Sequence, residues 1–211
     1  MRIDVYADVV CPWCYVGEKR LERALRGRPD LTVKRRWRPF QLRPEVPEGG
    51  MPWRTFAVDK FGGEENMRRA FKHVSSAGEP DGARFDFDRV ASAPNTVDAH
   101  RLILHAAERD RQWEMADALF GGYFSGGRDL NNAEHLSAMA AGVGLDPGET
   151  HELLSGDGYA EEVWKGQREA ASLGINGVPF YVIDGRYAVS GGQPAEVWAR
   201  ALDAVHAERM P

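Results

Sequence analysis

From Ile3 to Val10 the chain is apolar at most positions, with Asp4 and Asp8 as the breaks. That density predicts a strand buried on both faces. The spacing then lengthens. Cys14, Gly17, Leu21 and Leu25 recur at i, i+3, i+7 and i+11, which is one stripe of a helix running from about Pro12 to Arg26. Pro12 suits the first helical position, where a missing N–H costs no intrahelical bond. Gly27 and Pro29 stop the helix. Near the other end two apolar runs, Phe180–Ile183 and Arg186–Val189, flank Asp184 and Gly185, which predicts a hairpin with a two-residue type I′ turn. A last helix is expected from Gln193 to Met210, with Val197, Trp198, Ala201, Leu202 and Val205 as its apolar stripe. Between about Gly49 and Leu154 helical patterns dominate, as at Met67, Phe71 and Val74 and along Val97 to Arg109. Prolines and glycines from Pro44 to Gly50 mark where this helical region begins, and no internal repeat is present.

Composition adds bounds. The 211 residues are 43% apolar and 28% charged, enough for one or two domains with a sizeable core. A net charge of −5 gives no general attraction to nucleic acid or an anionic membrane. The basic run Lys34 to Arg38 reads as the solvated face of a strand. No long apolar run follows Arg2, as a signal peptide would require, and no stretch approaches the ~20 apolar residues of a membrane span. A cytoplasmic protein is expected.

The only two cysteines sit together in Asp8-Val9-Val10-Cys11-Pro12-Trp13-Cys14-Tyr15-Val16-Gly17. A structural disulfide is disfavoured, because such bridges are rare in the cytoplasm and this one would close a very small loop. A structural zinc site fails on ligand count. His100 and His105 are the closest histidine pair, and they project about 140° apart on a helix. A redox pair is the strongest reading left. In the predicted register Cys11 is the exposed nucleophile at the helix tip and Cys14 the buried resolving thiol. The helix N-terminus stabilises an anion there and should bring the Cys11 pKa below ~8.5. Pro12 and Trp13 lie between the thiols and should tune the potential, with Trp13 either meeting substrate or shielding the disulfide. Pro179 stands directly before a strand, where composition alone favours a trans bond after Val178.

A strand, a CxxC at a helix start, and much later Val-Pro leading into a hairpin and helix resemble the thioredoxin superfamily. The details are similar to its DsbA branch, in particular the cytoplasmic FrnE-like group. The stretches DVVCPWCYVGEKRL, SAPNTVDAHRL and GINGVPFYVIDGRYAVSG carry the match across nearly the whole chain. The resemblance implies an α/β thioredoxin fold with a large inserted α-helical domain, residues 1–48 and 158–211 forming the first part and 49–157 the second. It implies a cis Val178–Pro179 bond beside Cys11, with the Val178 backbone available to an extended peptide. It also implies dithiol–disulfide exchange on protein or peptide substrates by Cys11 and Cys14, with no bound cofactor or metal and with glutathione or another thiol as redox partner. Asn95 reads either as a helix cap or as part of the active-site rim, and His100 as a packing residue. One departure is Val5, where related folds often carry a buried acid; Asp4 and Asp8 lie nearby. Two rivals share the architecture. One is a glutathione-dependent enzyme of the kappa-class transferase or 2-hydroxychromene-2-carboxylate isomerase type, against which the intact cysteine pair argues. The other is a non-catalytic accessory protein of a biosynthetic pathway.

Overall fold

A computed structural model describes residues 1–209. Met210, the expected end of the last helix, lies outside them. The first strand, β1 (Arg2–Ala7), is buried along all but its first residue, as its apolar density requires. It stops sooner than the pattern suggested. Asp8 turns the chain, its carbonyl accepting the Cys11 N–H at 3.0 Å, so Val9 and Val10 belong to a loop. Helix α1 (Pro12–Arg26) follows, with Pro12 at the first helical position. Strand β2 (Lys34–Pro39) then runs parallel to β1.

The basic run does form this strand, but its cations are not simply solvated. Arg35 pairs with Glu18, Arg36 with Asp4 at 2.6 Å and Arg38 with Glu169, while Trp37 between them is buried. The periodicity of charge along β2 said nothing about acids supplied by other elements.

The insertion holds β3 (Met51–Pro52), α2 (Trp53–Phe61), α3 (Glu64–Gly78), β4 (Ser92–Ala93), α4 (Val97–Ala107), α5 (Gln112–Phe124), α6 (Ala133–Gly142) and α7 (Pro147–Ser155). The chain returns through α8 (Ala160–Ser172) to β5 (Phe180–Ile183), β6 (Tyr187–Ser190) and α9 (Ala195–Ala207). The main sheet has the order β2-β1-β5-β6, with β5 antiparallel to both β1 and β6. This β-α-β half joined to a β-β-α half is the thioredoxin fold, interrupted by helices. A second sheet pairs β3 with β4. Strands this short carry no alternating pattern, so the sequence could not announce them.

The β5–β6 hairpin has positive φ at both Asp184 and Gly185, 50° and 72°, as a type I′ turn demands. Its loop is one residue longer than expected, because Ile183 pairs with Tyr187 and Arg186 stays in the turn. The Asp184 carboxylate accepts the Arg2 N–H at 2.7 Å and so ties the turn to the start of β1.

One hydrophobic cluster runs through both parts, and a smaller one gathers Tyr6, Phe40, Ala170 and Ile175. Val5, Trp37, Tyr181, Leu21 and Trp198 of the thioredoxin part are continuous with Leu102, Phe120 and Phe124 of the insertion. Tyr15 of α1 carries the junction, stacking on Phe120 with ring centroids 5.1 Å apart. Two glycines allow close packing. A Cβ on Gly17 would lie 2.4 Å from the Tyr181 hydroxyl, and one on Gly166 would lie 2.7 Å from the Pro39 carbonyl oxygen. No helix among the described residues is long and apolar enough to cross a membrane.

Candidate active site

Cys11 is the N-cap residue of α1, with extended backbone (φ −91°, ψ 110°), and its own carbonyl accepts the Cys14 N–H at 3.0 Å. No acidic side chain occupies the first turn of α1 to compete for the helix dipole. Both cysteines are free thiols. Cys14 is buried as expected. Cys11 is not the exposed tip that helical register suggested, for only 5% of its surface is accessible. The reason is the loop before β5. The Val178–Pro179 bond is cis, and the Cys11 thiol donates to the Val178 carbonyl at 3.6 Å. A residue far away in sequence thus covers the helix tip, which no local pattern could reveal.

The two thiols are driven apart in acidity. A hydrogen bond from Cys14 stabilises the Cys11 thiolate most, and the amides of Cys14 and Trp13 add to it, so the Cys11 pKa is lowered despite burial. Burial pushes the Cys14 thiol well above its ordinary value, and its role as donor to Cys11 raises it further. The Asp8 charge raises both. Cys11 is therefore the more acidic of the two thiols and Cys14 the one that keeps its proton longer.

Pro12 and Trp13 lie between the two cysteines, both half-buried. The Trp13 ring sits 5.5 Å from the His73 ring of α3, so it closes the seam between α1 and the insertion. Pro179 is buried, with its ring beside Gly17. Asn95 follows Pro94, which lines the cavity beside Pro12. Asn95 itself lines a separate hollow with Asp98, Arg101 and Trp164 and takes no part in the cavity beside Pro12. Its Oδ1 accepts the Val97 N–H at 3.0 Å and its Nδ2 donates to the Val46 carbonyl at 2.8 Å. Asn95 thus supports the start of α4 from just before the N-cap, Thr96, and holds a loop whose Val46 does reach that cavity.

Below the cysteines runs a buried polar chain that sequence reasoning did not assemble. Trp37 Nε1–H donates to His100 Nδ1 at 3.1 Å, which leaves the His100 proton on Nε2. That nitrogen faces Asp8 Oδ1 at 3.4 Å. Asp8 Oδ2 accepts the Leu42 N–H at 2.7 Å. Asp8 is 1% exposed and His100 is fully buried, and the charge of this carboxylate reaches both cysteines although position 5 is Val. His100 packs inside its helix as expected, but its partners lie on β2 and on the loop before α1. Among the described residues no group of three His, Cys, Asp or Glu side chains is gathered as a metal site.

This arrangement defines a thioredoxin-type dithiol centre. Over residues 2–203 the chain matches the DSBA-like thioredoxin domain, and it belongs to that family. The chain is similar to a probable DsbA oxidoreductase from Streptomyces coelicolor, with 37% identity, a TM-score of 0.92 and coverage of 100% of this chain and 92% of the other. It shares its fold with the cytosolic disulfide reductase DsbM of Pseudomonas aeruginosa solved with GSH, at 21% identity and a TM-score of 0.68, covering 98% and 99% of the two chains. A 2-hydroxychromene-2-carboxylate isomerase has the same fold at 14% identity and a TM-score of 0.73, covering 99% and 97%.

Proposed function

We propose that this protein is a thiol–disulfide oxidoreductase or isomerase acting on protein or peptide substrates through Cys11 and Cys14. The observation that carries this reading is the split acidity of two adjacent thiols at a helix start, with Val178 O 3.6 Å from the more acidic one. As a reductant the Cys11 thiolate attacks a substrate sulfur, the substrate disulfide breaks, and a mixed disulfide forms. Cys14 then loses its proton and attacks Cys11, releasing the second substrate thiolate and closing the Cys11–Cys14 bond. In the other direction a substrate thiolate attacks Cys11. Glutathione or another thiol returns the oxidised pair to the dithiol when the protein acts as a reductant; in the other direction glutathione disulfide or another disulfide re-forms the Cys11–Cys14 bond. The cis Val178–Pro179 segment lies beside Cys11 and offers its backbone to an extended peptide. A cytoplasmic setting suits a chain whose only cysteines are the active pair. The glutathione-dependent isomerase reading needs one activated thiol and gives Cys14 no task, so the pair favours exchange.

Trapping tests the reading. Cys14→Ser should accumulate a stable mixed disulfide on Cys11 when offered an oxidised peptide, read by intact mass. Cys11→Ser should form none. Adducts on both variants alike, or on neither, would contradict the assignment.

A further inference from the structure

Between the start of α4 and the start of α8 lies a hollow of about 420 Å³ that the exchange chemistry does not use. That volume is within the ~300–1,000 Å³ common for ligand sites. Trp164 of α8 forms one wall and is 42% exposed. Trp13, Trp37, Trp53, Trp113 and Trp198 each pack on another ring. Trp164, the sixth tryptophan, has neither a ring nor a cation over its indole among the described residues. Arg101 is the one cation in the wall among the described residues, and it is buried. It is also engaged, donating to the Gly158 carbonyl at 2.6 Å, to the Gly156 carbonyl at 2.7 Å and to Asp98 at 2.7 Å. Two further carboxylates, Glu48 and Asp157, line the hollow and are exposed. Neither has an ion-pair or side-chain hydrogen-bond partner among the described residues, and no side chain caps α8, so Asp157 is not held as its cap. Three carboxylates against one guanidinium leave the hollow negative.

The hollow adjoins the active-site rim. Val46 and Pro94 line the cavity beside Pro12, and Glu48 and Asn95, slightly further along the same two segments, line this one. The Asn95 Nδ2 bond to the Val46 carbonyl, at 2.8 Å, ties the two segments together. We propose that this hollow is a subsite for a basic side chain, arginine above all, a few residues from the reacting cysteine of a peptide substrate. The guanidinium would stack on Trp164 and meet Asp157 and Glu48. Indole is the best of the aromatic faces for a cation. A planar guanidinium can stack and pair with carboxylates at once, which an ammonium does less well. A side chain of the same peptide fits better than a free amine, because the segments that wall the hollow also wall the rim beside Cys11. An extended chain advances ~3.3 Å per residue, so a short span of peptide joins the two places. The inference rests on the exchange reaction proposed above.

The test uses the full chain oxidised to its Cys11–Cys14 disulfide. Second-order rates of reduction are measured with capped peptides in which one to four glycines separate a cysteine from either arginine or citrulline, which has the same shape without the charge. A peptide thiolate attacks Cys11, the Cys11–Cys14 bond breaks, and Cys14 leaves and takes up a proton. A second peptide thiolate attacks the peptide sulfur of the mixed disulfide and Cys11 leaves as thiolate, so two peptide thiols supply the two electrons. At one spacing, or at two adjacent ones, the arginine peptide should react about tenfold faster than its citrulline twin, and the ratio should be small at the others. Trp164→Ala and Asp157→Asn should each reduce that ratio severalfold. These are ratios within one variant, so a smaller folded fraction cancels. An arginine advantage equal at every spacing would be general attraction to an acidic protein and would remove the inference. A ratio of one throughout, or a ratio unmoved by Trp164→Ala, would remove it as well, and all three results leave the exchange reaction standing. If neither the peptides nor dithiothreitol reduces the disulfide, the exchange reaction falls and this inference with it.

Discussion

At the scale of single residues the chemistry depends on how unequally two sulfurs hold their protons. Cys11 is held below the ordinary thiol value chiefly by the hydrogen bond from Cys14, and Cys14 is pushed well above it by burial. Thiolate absorbance of the reduced protein should therefore rise in two separated steps. The first step should come below the ordinary thiol value and disappear in Cys11→Ser. The sign of the linked stability follows. A folded-state pKa depressed below the unfolded one stabilises the reduced form above the unfolded value, and that gain is lost as pH falls through the folded pKa of Cys11. Asp8 gives a second residue-scale prediction. Asp8→Asn keeps an acceptor for the Leu42 N–H but turns an NH₂ toward His100 Nε2, which already carries a proton. Two donors facing each other in a dry site should cost about 1–3 kcal/mol in urea unfolding. Because the Asp8 charge raises both thiols, the same change should lower both steps of the thiolate titration. A variant of unchanged stability would contradict the close approach of Asp8 to His100.

At the scale of elements, α1 must lie very close to the loop that brings Val178 to Cys11. Gly17 permits this. Alanine is ordinarily better than glycine in a helix interior by roughly 1 kcal/mol. Here its methyl group would lie 2.4 Å from the Tyr181 hydroxyl, 3.2 Å from the Pro179 ring and 3.3 Å from Gly192 Cα. Overpacking of about 1–3 kcal/mol should outweigh the propensity gain, so Gly17→Ala should lower the urea midpoint. A raised midpoint would contradict this close packing. Most elements were legible because they have enough residues to show a period. The α1 stripe buries Cys14, Gly17 and Leu21, and the α9 stripe buries Trp198, Leu202 and Val205. Element ends were less legible. The turn at Asp8, the extra turn residue Arg186 and the two-residue strands β3 and β4 depend on individual hydrogen bonds rather than on periodicity.

At the scale of the whole molecule, the insertion and the thioredoxin part are joined by aromatic stacking at Tyr15 and by ion pairs from α1, among them Arg20 and Arg23 on Asp81 and Lys19 on Asp117. Arg20 of α1 donates to the Gly192 carbonyl at 2.6 Å, to the Ala77 carbonyl at 2.7 Å and to Asp81 at 2.9 Å. It holds the loop before α9, the end of α3 and the turn after it. Arg20→Met should cost about 3 kcal/mol in urea unfolding, because it leaves carbonyls and a buried carboxylate short of donors. A loss of only a few tenths would mean that the aromatic junction and the remaining ion pairs, Arg23–Asp81 and Lys19–Asp117, carry the docking. The cysteine pair and the Val178–Pro179 segment were legible as local motifs with a family resemblance. The burial of Cys11, the Asp8–His100–Trp37 chain and the hollow beside Trp164 were not, since each is assembled from segments far apart in sequence. His100 left the one faint signal, a polar residue among Ala99, Leu102, Ile103 and Ala106 on a buried helix.

The central claim is that Cys11 and Cys14 interconvert between dithiol and disulfide. The direct measurement equilibrates the protein in graded glutathione and glutathione disulfide buffers, quenches with acid, alkylates, and reads both cysteines by mass. A two-state conversion to the Cys11–Cys14 disulfide is expected, and its midpoint gives the potential and the favoured direction of electron flow. A persistent glutathione adduct on Cys11, or no disulfide at any ratio, would contradict the account.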